Sequence, residues 1–184
     1  MAIRYREDKA TQAAALLIKL EGGEMNHMKL IKILYLADRA ALLQWGRPIT
    51  FDWYVSMDHG PVLSFTLDRI NSQPNPNNPT YWNSYISERL GDGHQIKLLK
   101  DVPNDQLSPA EEELLDRVYT QFGHMDQWDL GKYSHNLPEW HNPHGSILSI
   151  DIGDILLSAG FTEEDITDIK DALEAEAFAD SLAD

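Results

Sequence analysis

No cysteine occurs among the 184 residues, which excludes a disulfide scaffold, a zinc-finger site and a cysteine nucleophile together. Long apolar runs are also missing. No stretch approaches the ~18 uncharged apolar residues of a membrane span, and the N-terminal MAIRYREDKATQ has no apolar signal core. These absences predict a soluble protein of the cytoplasm, with no membrane partner. Basic residues are scarce: fifteen stand against thirty acids, for a net charge of −15. Phosphate backbones repel such a chain, so general nucleic-acid binding is disfavoured and only promoter DNA stays open. A basic protein partner would be attracted instead.

Catalytic and cofactor signatures are equally scarce. There is no G-x-S-x-G nucleophile turn. Neither Gly22-Gly23 nor Gly91-Asp92-Gly93 has the G-K-[ST] ending of a phosphate-cradling loop, and no HExxH or EF-hand pattern occurs. No cofactor is expected. His135, His141 and His144 come nearest to a metal cluster, but Asn142-Pro143 argues against a helix that would align them. Capping and loop-fixing hydrogen bonds account for them better.

A chain of this length suits one domain and can bury ~70% of its unfolded surface without a metal or disulfide. Residues 1–50 hold eight bases and five acids, whereas 151–184 hold eleven acids and the single base Lys170. The sequence therefore divides into a domain over 1–150 and an acidic helical extension, 151–184, packed on it.

The stretch Asn26–Trp45 organises the rest. Gly22-Gly23 precedes it, Gly46 and Pro48 follow it, and Asn26 is suited to cap its start. At about 100° per residue, Leu30, Leu34, Ala37, Ala41 and Trp45 form one apolar stripe, widened by Ile31, Leu42, Ile33 and Ala40. Leu36 and Leu43 fall even within the charged arc of Lys29, Lys32 and Arg39. Such a helix belongs in the middle of a domain or under a partner. Asp38 breaks the pattern on its apolar side. A buried carboxylate needs a partner, so Asp38 either lies at a groove or meets donors from elsewhere in the chain.

Around this helix the sequence predicts a first helix over Asp8–Leu20, with Ala10, Ala13, Ala14, Leu17 and Leu20 inward. Phe51–Met57 reads as a short strand or extended crossing, and Gly60-Pro61 as the start of a helix burying Val62, Leu63, Phe65, Leu67 and Ile70. Asn71–Thr80 is an exposed turn-forming loop. Tyr81–Leu90 and His94–Leu99 read as a β-hairpin about Gly91-Asp92-Gly93. Ser108-Pro109-Ala110-Glu111 is a capping box opening a helix to Gly123. A shorter helix over Asp126–Tyr133, an irregular Leu137–Ser149 and a short helix over Ile150–Ala159 follow. Thr162 caps the last helix, which places Ile166, Ile169, Leu173 and Phe178 on one side. The fold class is mainly α, an α+β arrangement with a small β-hairpin or sheet around the buried helix 26–45.

Two segments resemble a known family. KLIKILYLADRAALLQWGRPITFDWYVSMDHGPVLSFTLDRI is similar to the opening of the Panacea domain, the SocA-like antitoxin family. The features that carry the likeness are Lys32, Tyr35 and Asp38 on one helix, Gly46-Arg47-Pro48, the aromatic run Phe51–Tyr54, and His59-Gly60-Pro61-Val62. About 75 residues later Leu130, Ser134-His135, Pro138 and Trp140 resemble that family's late signature. The likeness covers roughly residues 10–145.

The resemblance implies a compact, mainly helical domain that acts as the antitoxin of a bacterial or phage toxin–antitoxin pair, binding a cognate protein toxin. It singles out Lys32, Tyr35, Asp38, Tyr54, His59, His135 and Trp140. They form either internal contacts of the fold or a groove that recognises the toxin. Trp53, Tyr54, Trp82 and Trp140 would anchor a partner if exposed. Two other readings are carried forward: a winged-helix-like DNA-binding regulator, which needs Lys29, Lys32 and Arg39 exposed and aligned, and a small enzyme using Asp38, His59 or His135. Oligomeric state is not set by the sequence.

Overall fold

Helix α2 (His27–Trp45) lies at the centre of the molecule, and the other elements are arranged around it. The structure, a computed structural model, describes residues 4–75 and 77–182. Among these, eight helices and five short strands occur, so the chain is mainly α with a small antiparallel β part. Asn26 caps α2 by accepting from Met28 N and Lys29 N, and Gly46 ends it in a left-handed conformation with φ +69°. Thirteen of the nineteen residues of α2 are buried, Asp38, Lys29 and Lys32 included. The all-round apolar pattern has this cause: α1 (Glu7–Glu21), α5 (Pro109–Phe122), α6 (Gln127–Ser134) and α7 (Ile152–Ser158) all pack on α2.

Helix α5 begins at the full capping box, with Ser108 accepting from Glu111 N and the Glu111 carboxylate accepting from Ser108 N. Glu111 also pairs with the buried Lys9 of α1 at 2.6 Å, so one side chain starts α5 and ties it to α1. Asp126 caps α6 and Asp151 caps α7. Thr162 and Asp165 make the reciprocal bonds that start α8 (Glu163–Leu182).

Three expectations are corrected. Gly60-Pro61 opens no helix. Residues Tyr54–Met57 (β2) and Gly60–Leu63 (β3) form an antiparallel hairpin with Met57 opposite Gly60 and Ser56 opposite Pro61, and α3 (Ser64–Asn71) begins only afterwards. Gly60 at φ +100° fits the hairpin and not a helical first turn. In a ladder closed by a two-residue turn, Ser56 and Pro61 form a non-hydrogen-bonded pair, where proline's missing N–H leaves no gap. A two-residue strand, Leu148–Ser149 (β5), adds to the other edge of β2, inside the stretch read as irregular.

Tyr81–Tyr85 is a helix, α4, instead of a strand. Thr80 caps it, Trp82 N donates to Glu7, and the Tyr81 and Tyr85 rings pack one turn apart. The half of the predicted hairpin nearer its turn persists in the bridges Ile86–Leu98 and Leu90–Gln95 and in the bonds from Ser87 N to Lys97 O and from Leu99 N to Tyr85 O. Gln95–Lys97 (β4) pairs with Glu24–Asn26 (β1), directly before α2. Third, Leu20, Phe65 and Phe178 are exposed, the last at 65%. Of the four candidate anchors, Trp53 is exposed, Trp140 is half-buried, and Tyr54 and Trp82 are buried. The loop 71–80 is exposed over most of its described residues, Pro76 lying outside them.

Candidate functional site: the β2–β3 hairpin and its cleft

Segment Ile49–Tyr54 folds over the middle of α2 because Asp38 holds it there. The Asp38 carboxylate accepts from Ile49 N at 3.0 Å, Thr50 N at 3.1 Å, the Thr50 hydroxyl, and Tyr54 Oη at 3.3 Å. Of the two situations open to this acid, the structure shows the second: donors from the chain that follows the helix. Burial pushes Asp38 up to about 7, with the donors acting against that rise. The tightness of the fold-over shows at Phe51, a non-glycine residue at φ +53° with the Arg47 guanidinium 5.5 Å from its ring. Next to it, Asp52 accepts from Trp53 N, Phe65 N, Thr66 N and the Thr66 hydroxyl, so this second buried acid joins the strand to the start of α3.

One turn before Asp38, Tyr35 donates to Glu139 Oε1 at 2.8 Å, and Arg39 Nε meets the same oxygen at 2.7 Å. The Glu139 side chain is completely buried. The rings of Tyr35 and Tyr54 meet edge to face at 5.5 Å, so the Asp38 and Glu139 networks touch. Burial and the Glu139 charge both push the Tyr35 phenol upward.

The late segment clasps the tip of the hairpin. His135 Nε2 donates to Asp58 O, Trp140 Nε1 donates to Met57 O, and the two rings stack at 4.1 Å. Gly145 N donates to Asp58 Oδ1. A Cβ on Gly60 would lie 2.2 Å from Ser134 Oγ and 2.9 Å from Lys32 Nζ, so glycine is what lets α6 approach so closely. Lys32 Nζ donates to Pro61 O at 2.9 Å, and burial holds its amine down to about 7.

All seven singled-out residues therefore converge on this hairpin. Tyr35, Asp38, Tyr54, His135 and Trp140 make internal contacts. Lys32, besides its internal bond to Pro61 O, and His59 line a cleft of about 470 Å3 between the first turns of α2, the hairpin tip, the end of α3 and residues 145–147. His59 is exposed and lies edge-on to the exposed Trp128, 6.2 Å between ring centres. Glu139, Asp52 and Arg89 were missed by sequence reasoning. A signal for Glu139 existed: Tyr35 and Arg39, four residues apart on an otherwise buried helix, call for one shared acceptor.

The geometry bears on both alternative readings. No hydrogen bond joins Asp38 to His59 or His135, so the acid and the histidines do not form an acid–base pair. The three bases of a DNA-facing α2 are engaged internally: Lys29 with Glu21 and Gly123 O, Lys32 with Pro61 O, and Arg39 with Glu139.

A family profile described as "Antitoxin SocA-like, Panacea domain" matches residues 30–141, more than half of the chain. The chain belongs to this family. The matched span starts within α2 and ends just after Trp140, so it contains the whole Asp38–Glu139–hairpin assembly of this Panacea domain. Membership supports an antitoxin role in general. No curated protein and no solved structure matches.

Proposed function

We propose that this chain is the antitoxin of a toxin–antitoxin pair and neutralises a co-encoded toxin by direct protein binding, without catalysis of its own. Membership in the SocA-like Panacea family carries this reading. The geometry supports it: the family-matching polar residues are satisfied by one another, as in a rigid scaffold, and do not converge on a reacting centre. Within that scaffold we assign contact with the toxin to Lys32 and His59, which line the cleft, and a shaping role to Tyr35, Asp38, Tyr54, His135 and Trp140. Residues 1–150 form the antitoxin domain, and 151–184 the acidic extension, attached through Arg47–Glu176. The cytoplasm is the assigned location; no described helix is long and apolar enough to cross a membrane.

The test is growth of cells expressing the neighbouring open reading frame with and without this chain, followed by affinity purification. Arrest by the neighbour, rescue by this chain and a co-purifying complex are the expected results. A harmless neighbour, or rescue through repression with no complex, would sink the reading. Steeply salt-dependent binding to promoter DNA would then favour a regulator.

A further inference from the structure

Acids outnumber bases two to one in this chain, and other cations drawn into the fold each have a carboxylate: buried Lys9 has Glu111, buried Lys29 has Glu21, and half-buried Arg39 has Glu139. Lys32 is different. It is 2% exposed, its only acceptor is the Pro61 carbonyl, and no carboxylate lies within ion-pair distance among the described residues. An ammonium carries three donors, so two are left without a protein acceptor. Arg89 is exposed and makes no ion pair or hydrogen bond among the described residues, and its charge is felt by His27. Both cations line the same cleft, with His27 and His59 beside them. Asp58 is the only acid in the lining, and one of its oxygens is taken by Gly145 N.

Apart from Asn71 and Ser146, the side chains of the remaining wall are apolar: Met28, Ile31, Met57, Val62 and Leu67, with Ile147 at the rim 62% exposed. Trp128, 56% exposed, extends this surface past His59. Exposed Trp128, Ile147 and Arg89, with half-buried Met28, around a recess make up the kind of surface on which interface anchors seat. Nucleic acid fits the apolar wall poorly and is repelled by the net −15.

We propose that the cleft receives a protein segment presenting a carboxylate side chain between apolar neighbours. The carboxylate pairs with Lys32 and Arg89, and its neighbours cover Met28, Ile31 and Ile147. The identity of the partner as the toxin rests on the antitoxin reading, whereas the chemistry of the cleft does not. The acidic surface as a whole draws basic proteins over long range, and the cleft then selects one acidic side chain locally. Pairing favours the charged amine, so binding at pH 8 takes up a proton at Lys32.

The probe is the peptide acetyl-Leu-Glu-Leu-amide, titrated into the full chain while the methyl resonances of Met28, Ile31 and Ile147 are followed. Saturable shifts are expected, at least fivefold weaker with acetyl-Leu-Gln-Leu-amide and tenfold weaker in Arg89→Glu, a variant at an exposed side chain that should fold normally. Calorimetry at pH 8 in buffers of different ionisation enthalpy should show proton uptake. Equal binding of the Gln peptide, no effect of Arg89→Glu, or equal binding of a Gly-Glu-Gly peptide that inorganic phosphate displaces would overturn the proposal. A second arm uses the neighbouring gene's product: Arg89→Glu and Ile147→Asp should lose its capture, while Leu157→Asp, on α7, should keep it. If wild type and both cleft variants capture it alike, the cleft assignment falls and the antitoxin reading stands. If the peptide behaves as expected but wild type captures nothing, the antitoxin reading falls and the cleft stands.

Discussion

Asp38 shows how far one residue can be read before its surroundings are known. An acid on the apolar side of a buried helix demands donors or a groove, and that demand is legible from position alone. The donors are not, because they come from the backbone of Ile49 and Thr50, whose approach depends on the turn after Gly46. Asp38→Ala leaves two buried N–H groups and the Tyr54 hydroxyl without an acceptor, and should lower stability by about 3 kcal/mol in urea denaturation. Titration separates the two buried charges. Asp38 is raised to about 7 from the usual 3.8, so the folded state keeps a proton the unfolded chain has lost. Its contribution is full below pH ~4 and fades as pH rises through 7. Lys32 is lowered to about 7 from 10.5, so its contribution is absent below pH 7 and grows up to ~10.5. The stability difference between wild type and Lys32→Met should therefore change across pH 7–10.5 and stay flat from pH 5 to 6, as thermal melts at each pH would show.

At the scale of elements, caps were the reliable signals. Asn26, Ser108 and Thr162 each begin the helix that the sequence assigned to them, since a cap needs only its own next three residues. Glu111 shows where the local signal stops: its cap is written in the sequence, its pairing with Lys9 is not. Ser108→Ala should cost about 1 kcal/mol. Glu111→Ala removes the same box and also leaves Lys9 buried without a counter-charge, so a loss of about 3 kcal/mol is expected. Chemical denaturation of both variants checks the ratio. Glu111→Ala/Lys9→Met should recover part of the loss. The misread elements share a cause. Gly60-Pro61 and Tyr81–Tyr85 have local patterns that fit two structures, and contacts from far along the chain decided between them. Ser134 and Lys32 close on Gly60, and Glu7 holds the start of α4.

For the molecule as a whole, the charge asymmetry places nearly half of the net negative charge on α8, attached by a small buried seam. Ile166 and Leu173 are buried, Ile169 would meet a Cβ on Gly46 at 3.2 Å, and the two ion pairs of α8, Arg47–Glu176 and Asp151–Lys170, are partly exposed. Removing residues 161–184 should therefore leave a cooperatively folding domain whose melting point drops by roughly 10 °C, given ~3 kcal/mol of lost burial. Loss of the cooperative transition would mean that the extension is part of the core. The central position of α2 also has a consequence in time. Its last residue, Trp45, leaves the ribosome more than 100 residues before Ile155 and Leu156 of α7, which help to cover it, and Glu139, which closes Tyr35 and Arg39, comes nearly as late. At roughly 5–20 residues per second, an apolar helix waits for at least about 5 s beside its unmade partners. Throughout that interval the Glu139 network and the cleft are both incomplete, the latter until residues 145–147 have emerged, so the finished surface of α2 exists only once most of the chain has been made.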